Sequence, residues 1–330
     1  MSRLKISACL SRNPMTTPLA NLQPEGIDWH LSYVHPSEMF WRQLKFADFD
    51  VSEMSLATLL IGWAQGKRDW VALPIFTTRR FFHTSIVVRR GAGIETPADL
   101  RGKRVGVPEY QQTSALWSRS VLQHDFGVSP GEMKWFMERP AELSHGGSTG
   151  FTPPPGVDFS YVQPGETLAG MMGRGELDAS FVHLTENNLI DRSTGAADRK
   201  ADVVPLFPDP RAEGQRYLAA HGLLPINHCV VVRRELVEQY PWVVLNLYST
   251  FEQAKRSTLA SAVELFGLYE TAGIVDGKAV NQAVYGDPAP YGFQGAAAAL
   301  RAASGYLVEQ GLLEKEVDVR QVFADQTLQF

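Results

Sequence analysis

Cysteine is scarce. The 330 residues hold two, Cys9 and Cys229, too few for a disulfide framework or a four-cysteine zinc site. Each lies in an apolar run, and both are read as buried free thiols in strands. There is no excess of positive charge. Lys and Arg number 31 against 36 Asp and Glu, a net charge of -5, which argues against nucleic acid or an anionic membrane surface as partner. A few local arginines can still hold a small anion. No apolar run approaches the roughly 18–20 residues of a membrane-spanning helix, so no membrane span is expected. The opening Met1-Ser2-Arg3-Leu4-Lys5 leads only into Ile6 to Leu10 before Ser11-Arg12-Asn13-Pro14 ends the run. This is shorter than a secretory leader requires, and the segment is read as the first strand of a cytoplasmic protein.

What is present is ordinary globular composition, with 44% hydrophobic and 20% charged residues. That excludes disordered, collagen-like and coiled-coil chains, and the length suits two domains or one large one. Strand and helix signals alternate along the chain. Strands are expected at 4–10, 27–34, 49–53, 71–76 and 84–89, with helices after Ser37 and over 54–65. A second unit begins near residue 90, with strands at 104–107, 134–137 and 177–182 and helices at 113–126 and 165–173. A strand at 229–233 follows, then a long helical region opened by Pro241-Trp242 and a helix over 296–308. This βαβ order argues for a mostly parallel α/β architecture. Gly and Pro punctuate residues 144–156 so densely that no regular structure is expected there.

Several segments together carry a resemblance. They are Asp50-Val51-Ser52-Glu53-Met54-Ser55, Leu73-Pro74-Ile75-Phe76 with Arg79-Arg80-Phe81-Phe82-His83, Leu100-Arg101-Gly102-Lys103-Arg104-Val105-Gly106-Val107-Pro108-Glu109-Tyr110, Leu206-Phe207-Pro208-Asp209, Pro225-Ile226-Asn227-His228 and Asp287-Pro288-Ala289-Pro290-Tyr291-Gly292. With these the chain resembles the 4,5-dihydroxyphthalate decarboxylase family over nearly its whole length. The Leu-Arg-Gly-Lys strand is common to many solute receptors, whereas the Asp-Val-Ser-Glu and Pro-Ile-Asn-His segments are more specific. The sequence departs from the family pattern at Asn227, where Met is frequent, and after Gly292, where Phe293-Gln294 replaces an Asn-Arg pair. Those positions bear on substrate more than on fold.

The resemblance implies a two-lobed fold similar to the type 2 periplasmic binding proteins: two mixed sheets flanked by helices, with the ligand cleft between lobes. Lobe 1 would be residues 1–85 plus 230–330, and lobe 2 residues 86–229. It implies a cofactor-independent decarboxylase acting on a dihydroxylated aromatic carboxylate, with no metal and an anionic aromatic small molecule as partner. A homo-oligomer is compatible with it. The alternative is a solute-binding protein of an ABC importer, which shares the fold.

Site candidates follow from chemistry and position. Arg12 follows the first strand and Arg80 the strand ending at Phe76, where a cleft opens in such folds; a guanidinium grips a carboxylate in a planar fork, and the bland reading is solvated surface charge. Tyr110, Gln112 and Thr113 stand at a helix start, where free N–H groups attract anions; Thr113 can equally be only a cap. Trp117, one turn on, stacks on a ring or fills the core. His83, His183 and His228 stand at strand ends or crossings. Their spacing forms no local metal motif, and His228 and His83 are the expected proton-transfer pair. Glu53 either orients a ligand hydroxyl or caps the next helix, and Asn227 adjoins His228. His145 would reach a ligand if its Gly/Pro-rich loop folds over the cleft.

Overall fold

In a computed structural model, residues 3–181, 190–191, 202–287 and 289–330 are described. The chain runs β1 (Leu4–Leu10), β2 (Ile27–Tyr33), α1 (Pro36–Phe46), β3 (Val51–Ser55), α2 (Leu56–Ala64) and β4 (Trp70–Arg79), and passes through a 3-10 turn at Phe82–Ser85 into β5 (Val87–Arg89). There follow β6 (Arg104–Val107), α3 (Thr113–Phe126), β7 (Lys134–Met137), α4 (His145–Thr149), β8 (Asp158–Tyr161), α5 (Leu168–Gly173), β9 (Ala179–Ser180), β10 (Val203–Pro205) and α6 (Pro210–His221). Then come β11 (Ile226–Arg233), α7 (Arg234–Gln239), α8 (Val243–Thr271), α9 (Gly277–Tyr285) and α10 (Phe293–Glu309). Among the described residues no helix is long and apolar enough to cross a membrane.

Two mixed sheets result. One has the order β2-β1-β3-β11-β4, the other β10-β5-β9-β6-β7-β8. In the first, β1 is parallel to β2 and β3, while β11 runs antiparallel to β3 and β4. The chain passes between the sheets twice, from β4 to β5 and from β10 through α6 to β11. Central strands are apolar on both faces, as strands covered on both sides must be. Along β11, Val230 and Val232 pack with α8 residues Val244 and Leu247, whereas Cys229 and Val231 pack toward α2 and α10 residues such as Leu60 and Leu300. Both cysteines are free and buried, as read from the sequence.

The strand expected over 177–182 is only Ala179–Ser180 and the helix expected over 165–173 starts at Leu168, and two further expectations change for a visible reason. The strand expected over 84–89 is only Val87–Arg89, because Thr84 turns its Oγ1 onto the Phe81 carbonyl and the Ile86 N–H bonds the His83 carbonyl. The segment at 144–156 is not wholly irregular. Ser144 Oγ accepts the Gly146 N–H, α4 forms, and Gly150 ends it with φ 69°. Here glycine permits regular structure, since a Cβ at residue 147 would overlap the Ala141 carbonyl oxygen.

The second sheet's core (Val105, Val107, Trp135, Met137) is closed by α3 through Ala115 and Leu122. The same helix puts Leu116 and Trp117 into the core of the first sheet. α3 therefore belongs to both halves, and its amino terminus lies where they meet.

Candidate active site

A cleft of about 620 Å³ lies between the sheets. It opens at the carboxyl ends of the parallel strands, where ligands bind in open α/β sheets. β1 delivers Ser11 and Arg12, β3 delivers Ser55, β4 delivers Thr78 and Arg80, and the segment after β7 delivers Arg139. The start of antiparallel β11 brings Asn227 and His228 to the same rim, and the start of α3 brings Gln112 to Ser114.

Glu53 lies beneath the cleft wall, in the interior of β3 and fully buried. Its Oε1 accepts the Ser11 N–H at 2.8 Å and the Ser11 hydroxyl at 2.7 Å. Its Oε2 accepts the Thr77 hydroxyl at 2.7 Å and lies 3.0 Å from His228 Nδ1. Thr77 reaches it because β4 is irregular against β11: Leu73 pairs with Val230 but Thr78 already with His228. Pro74 has no N–H for the ladder, and the strand bulges there. Burial pushes the Glu53 carboxyl up, but the His228 ring and the Ser11 and Thr77 hydroxyls outweigh this and hold it below the usual range. An ionised carboxylate only accepts, so the proton of His228 sits on Nδ1. Nε2 is then the basic nitrogen, and the Asn227 amide nitrogen lies 2.8 Å from it.

A second imidazole lines the wall. His145 is 2% exposed, lies with its Nδ1 3.3 Å from Thr58 Oγ1, and donates its backbone N–H to Glu109 Oε2 at 3.0 Å. Burial first, then the charge of Arg139, pull its pKa from 6.5 down to about 3. The folded protein thus refuses a proton that the unfolded chain takes below about pH 6.5, so stability falls with falling pH in that window, by about 1.4 kcal/mol per unit. Between about pH 6.5 and 5 the native protein should lose ~2 kcal/mol more unfolding free energy than His145→Gln. Urea titrations at both pH values measure this, and parallel losses would refute it.

Cations stand at the mouth. Arg12 is exposed and stacks over the Tyr33 ring at 4.5 Å. Arg80, also exposed, bonds Ser85 Oγ at 2.7 Å and lies 5.5 Å from the Phe82 ring. At the α3 terminus Thr113 Oγ1 bonds Ser55 Oγ at 2.9 Å and accepts the Ala57 N–H, so its side chain ties the halves together. Gln112 makes no capping bond, and its Nε2 is buried without a partner among the described residues. The first-turn N–H groups and this amide form an anion-friendly end.

Arg12, Arg80, Gln112, Thr113, Asn227 and His228 thus share one cleft, with Glu53 behind His228. Two expectations are corrected, and of the two roles open to Trp117 the core one holds. His83, 1% exposed, bonds Glu213 on α6 at 2.9 Å and is enclosed by Phe207 and Tyr217, away from the cleft wall. Tyr110 is fully buried in the second core under the Arg119 guanidinium, 3.9 Å from its ring. Trp117 is core, donating its indole N–H to the Ile226 carbonyl at 2.9 Å. His183 lies outside the described residues. Sequence reasoning did not single out Tyr33, Phe40 or Arg139, whose segments carry no signal beyond ordinary helix and strand patterns.

No family model matches the chain. The 4,5-dihydroxyphthalate decarboxylase of Comamonas testosteroni is 32% identical to it over 265 residues, 78% of this chain and 77% of that protein. The 4,5-dihydroxyphthalate decarboxylase of Pseudomonas putida is 36% identical over 181 residues, 54% of this chain and 70% of that protein. Among solved structures, the periplasmic aliphatic sulphonate binding protein SsuA from Escherichia coli matches with a TM-score of 0.54 at 17% identity, over 98% of this chain and 93% of its own. The desulfurization enzyme DSZB matches with a TM-score of 0.55 at 14% identity, over 99% and 98%. At such identities the likeness speaks to the fold, which is that of the SsuA-type binding proteins.

Proposed function

The chain belongs to the 4,5-dihydroxyphthalate decarboxylase family, and from that premise we propose that this carboxy-lyase acts on a dihydroxylated aromatic dicarboxylate like 4,5-dihydroxyphthalate, using its own acid–base groups. The observation that carries the reading is the buried Glu53–His228 pair, with the basic Nε2 of His228 at a cleft that also holds Arg12 and Arg80.

In such a substrate each carboxylate is para to a hydroxyl. His228 Nε2 takes the hydroxyl proton, and the oxygen electron pair moves through the ring to the carbon bearing the carboxylate. A proton drawn from solvent water, and not the one held by His228, adds to that carbon, giving a dienone. The bond to the carboxylate then breaks, CO2 leaves, and its electron pair restores the aromatic ring as a phenolate, which recovers the proton from His228. The ring stores the electrons, so the chemistry does not require an added electron sink. The protein's part is a placed base, cationic grips and orientation. Glu53 fixes the tautomer of His228 and stabilises the imidazolium formed. Arg12, Arg80 and the α3 terminus hold the carboxylates.

Incubating the protein with 4,5-dihydroxyphthalate should release one equivalent of CO2 and yield 3,4-dihydroxybenzoate on chromatography. Tight binding with the substrate recovered intact would defeat this reading in favour of a solute-binding role.

A further inference from the structure

The reaction above uses one imidazole, yet a second stands beside it. His145 and His228 both meet the Phe40 ring edge-on, with centroids 5.6 and 4.7 Å away. One rigid aromatic side chain therefore sets the spacing of two histidines. The position of His145 is fixed from both ends, its backbone by Glu109 and its Nδ1 by Thr58. Its Nε2 is shielded from solvent and has no hydrogen-bond partner among the described residues, although the ring lines the cleft.

A buried ring nitrogen without a partner is costly unless a ligand supplies one. We propose that His145 is a specificity-determining residue whose Nε2 hydrogen-bonds the ring hydroxyl adjacent to the one His228 deprotonates, so that the two imidazoles read a vicinal diphenol. This rests on the aromatic-carboxylate reading above. Thr58 bears on which group fits. If its hydroxyl donates to Nδ1, Nε2–H is a donor; if it accepts from Nδ1–H, Nε2 is an acceptor. A phenolic hydroxyl satisfies either case, whereas a carboxylate satisfies only the first. Burial and Arg139 keep the ring neutral at neutral pH. It thus contributes a hydrogen bond and no charge, and leaves proton removal to His228.

The test compares 4,5-dihydroxyphthalate with 4-hydroxyphthalate, which lacks one hydroxyl, in the native protein, His145→Gln and Thr58→Val. The ratio of kcat/KM for the two compounds should fall about 10- to 100-fold in His145→Gln. It should fall less in Thr58→Val, where the ring is freed but present. The pH dependence of kcat/KM should keep its position, because a neutral group is being replaced. A ratio within twofold of the native one in folded His145→Gln, or in Thr58→Val should His145→Gln not fold, would overturn the proposal. Calorimetric Kd values for both compounds give the same ratio without turnover. Absent CO2 release would therefore sink the decarboxylase reading, while the binding ratio still decides the hydroxyl reading.

Discussion

Glu53→Gln is expected to lower kcat by about 10³–10⁴-fold, or ~4–5.5 kcal/mol of transition-state stabilisation. The two atoms of the new amide are not free to choose their places. The Ser11 N–H points at the Oε1 position, which must remain an oxygen. The amide nitrogen then occupies the Oε2 position, 3.0 Å from His228 Nδ1, and donates to it. Nδ1 loses its proton to Nε2, and the nitrogen facing the cleft can no longer accept one. Shape and packing barely change, so the loss is in chemistry and KM should move little.

Two measurements separate this from mere damage. Nitrogen-15 shifts of labelled histidine should report His228 protonated on Nδ1 in the native protein and on Nε2 in Glu53→Gln. The double variant Glu53→Gln/His228→Gln should be no slower than His228→Gln alone, because groups acting through one another are not additive. Additive losses, or an unchanged tautomer, would show that Glu53 does not act through His228.

How much of this was readable in advance depends on how far each residue's partner lies along the chain. The strands are legible because their apolar runs and turns are local, and β11 shows it: the short run from Cys229 to Val232, three of its four residues β-branched, fits a strand covered on both faces. Arg12, Arg80 and His228 were legible as candidates because each stands at the end of a strand, and such ends face one rim in this fold. His83 occupies an equivalent place in the sequence, and nothing local separates it from His228. What separates them is Glu213, 130 residues away on α6, which takes up the His83 ring, against Glu53, 175 residues away, which leaves Nε2 of His228 turned to the cleft. Tyr110 misleads, and Trp117 stays open between ring stacking and core, for a related reason. The start of α3 lies at the cleft, but the residues beside and beyond it turn into two different cores. The helix α4 was hidden because its glycines, normally breakers, are required by the close approach of the chain at Ala141.

Asp191→Ala should cost about 3–5 kcal/mol of unfolding free energy, because it strands a buried cation. Arg139 is 2% exposed and Asp191 2%. The guanidinium meets the carboxylate through Nε at 2.5 Å and Nη2 at 3.0 Å, and Nη2 also bonds Ser37 Oγ at 2.7 Å. Ser37 lies in α1 beside the first sheet and Arg139 follows β7 of the second, so the Arg139–Ser37 bond crosses between the two walls of the cleft while Asp191 neutralises the buried guanidinium. Burial pushes the Asp191 carboxyl up, but the Arg139 charge and hydrogen bonds outweigh it and hold the group below its usual 3.8. The carboxylate's contribution is therefore complete above that value and is lost as pH falls through the lower folded value. The gap between native protein and Asp191→Ala in urea titrations should be constant near neutrality and narrow only below about pH 4. The combined change Arg139→Met/Asp191→Leu removes both charges and should recover most of the loss, since a buried pair replaced by packed apolar groups is near neutral in stability. If Asp191→Ala cost under about 1 kcal/mol, or the double change were as harmful as the single one, the loss would not come from a stranded buried cation.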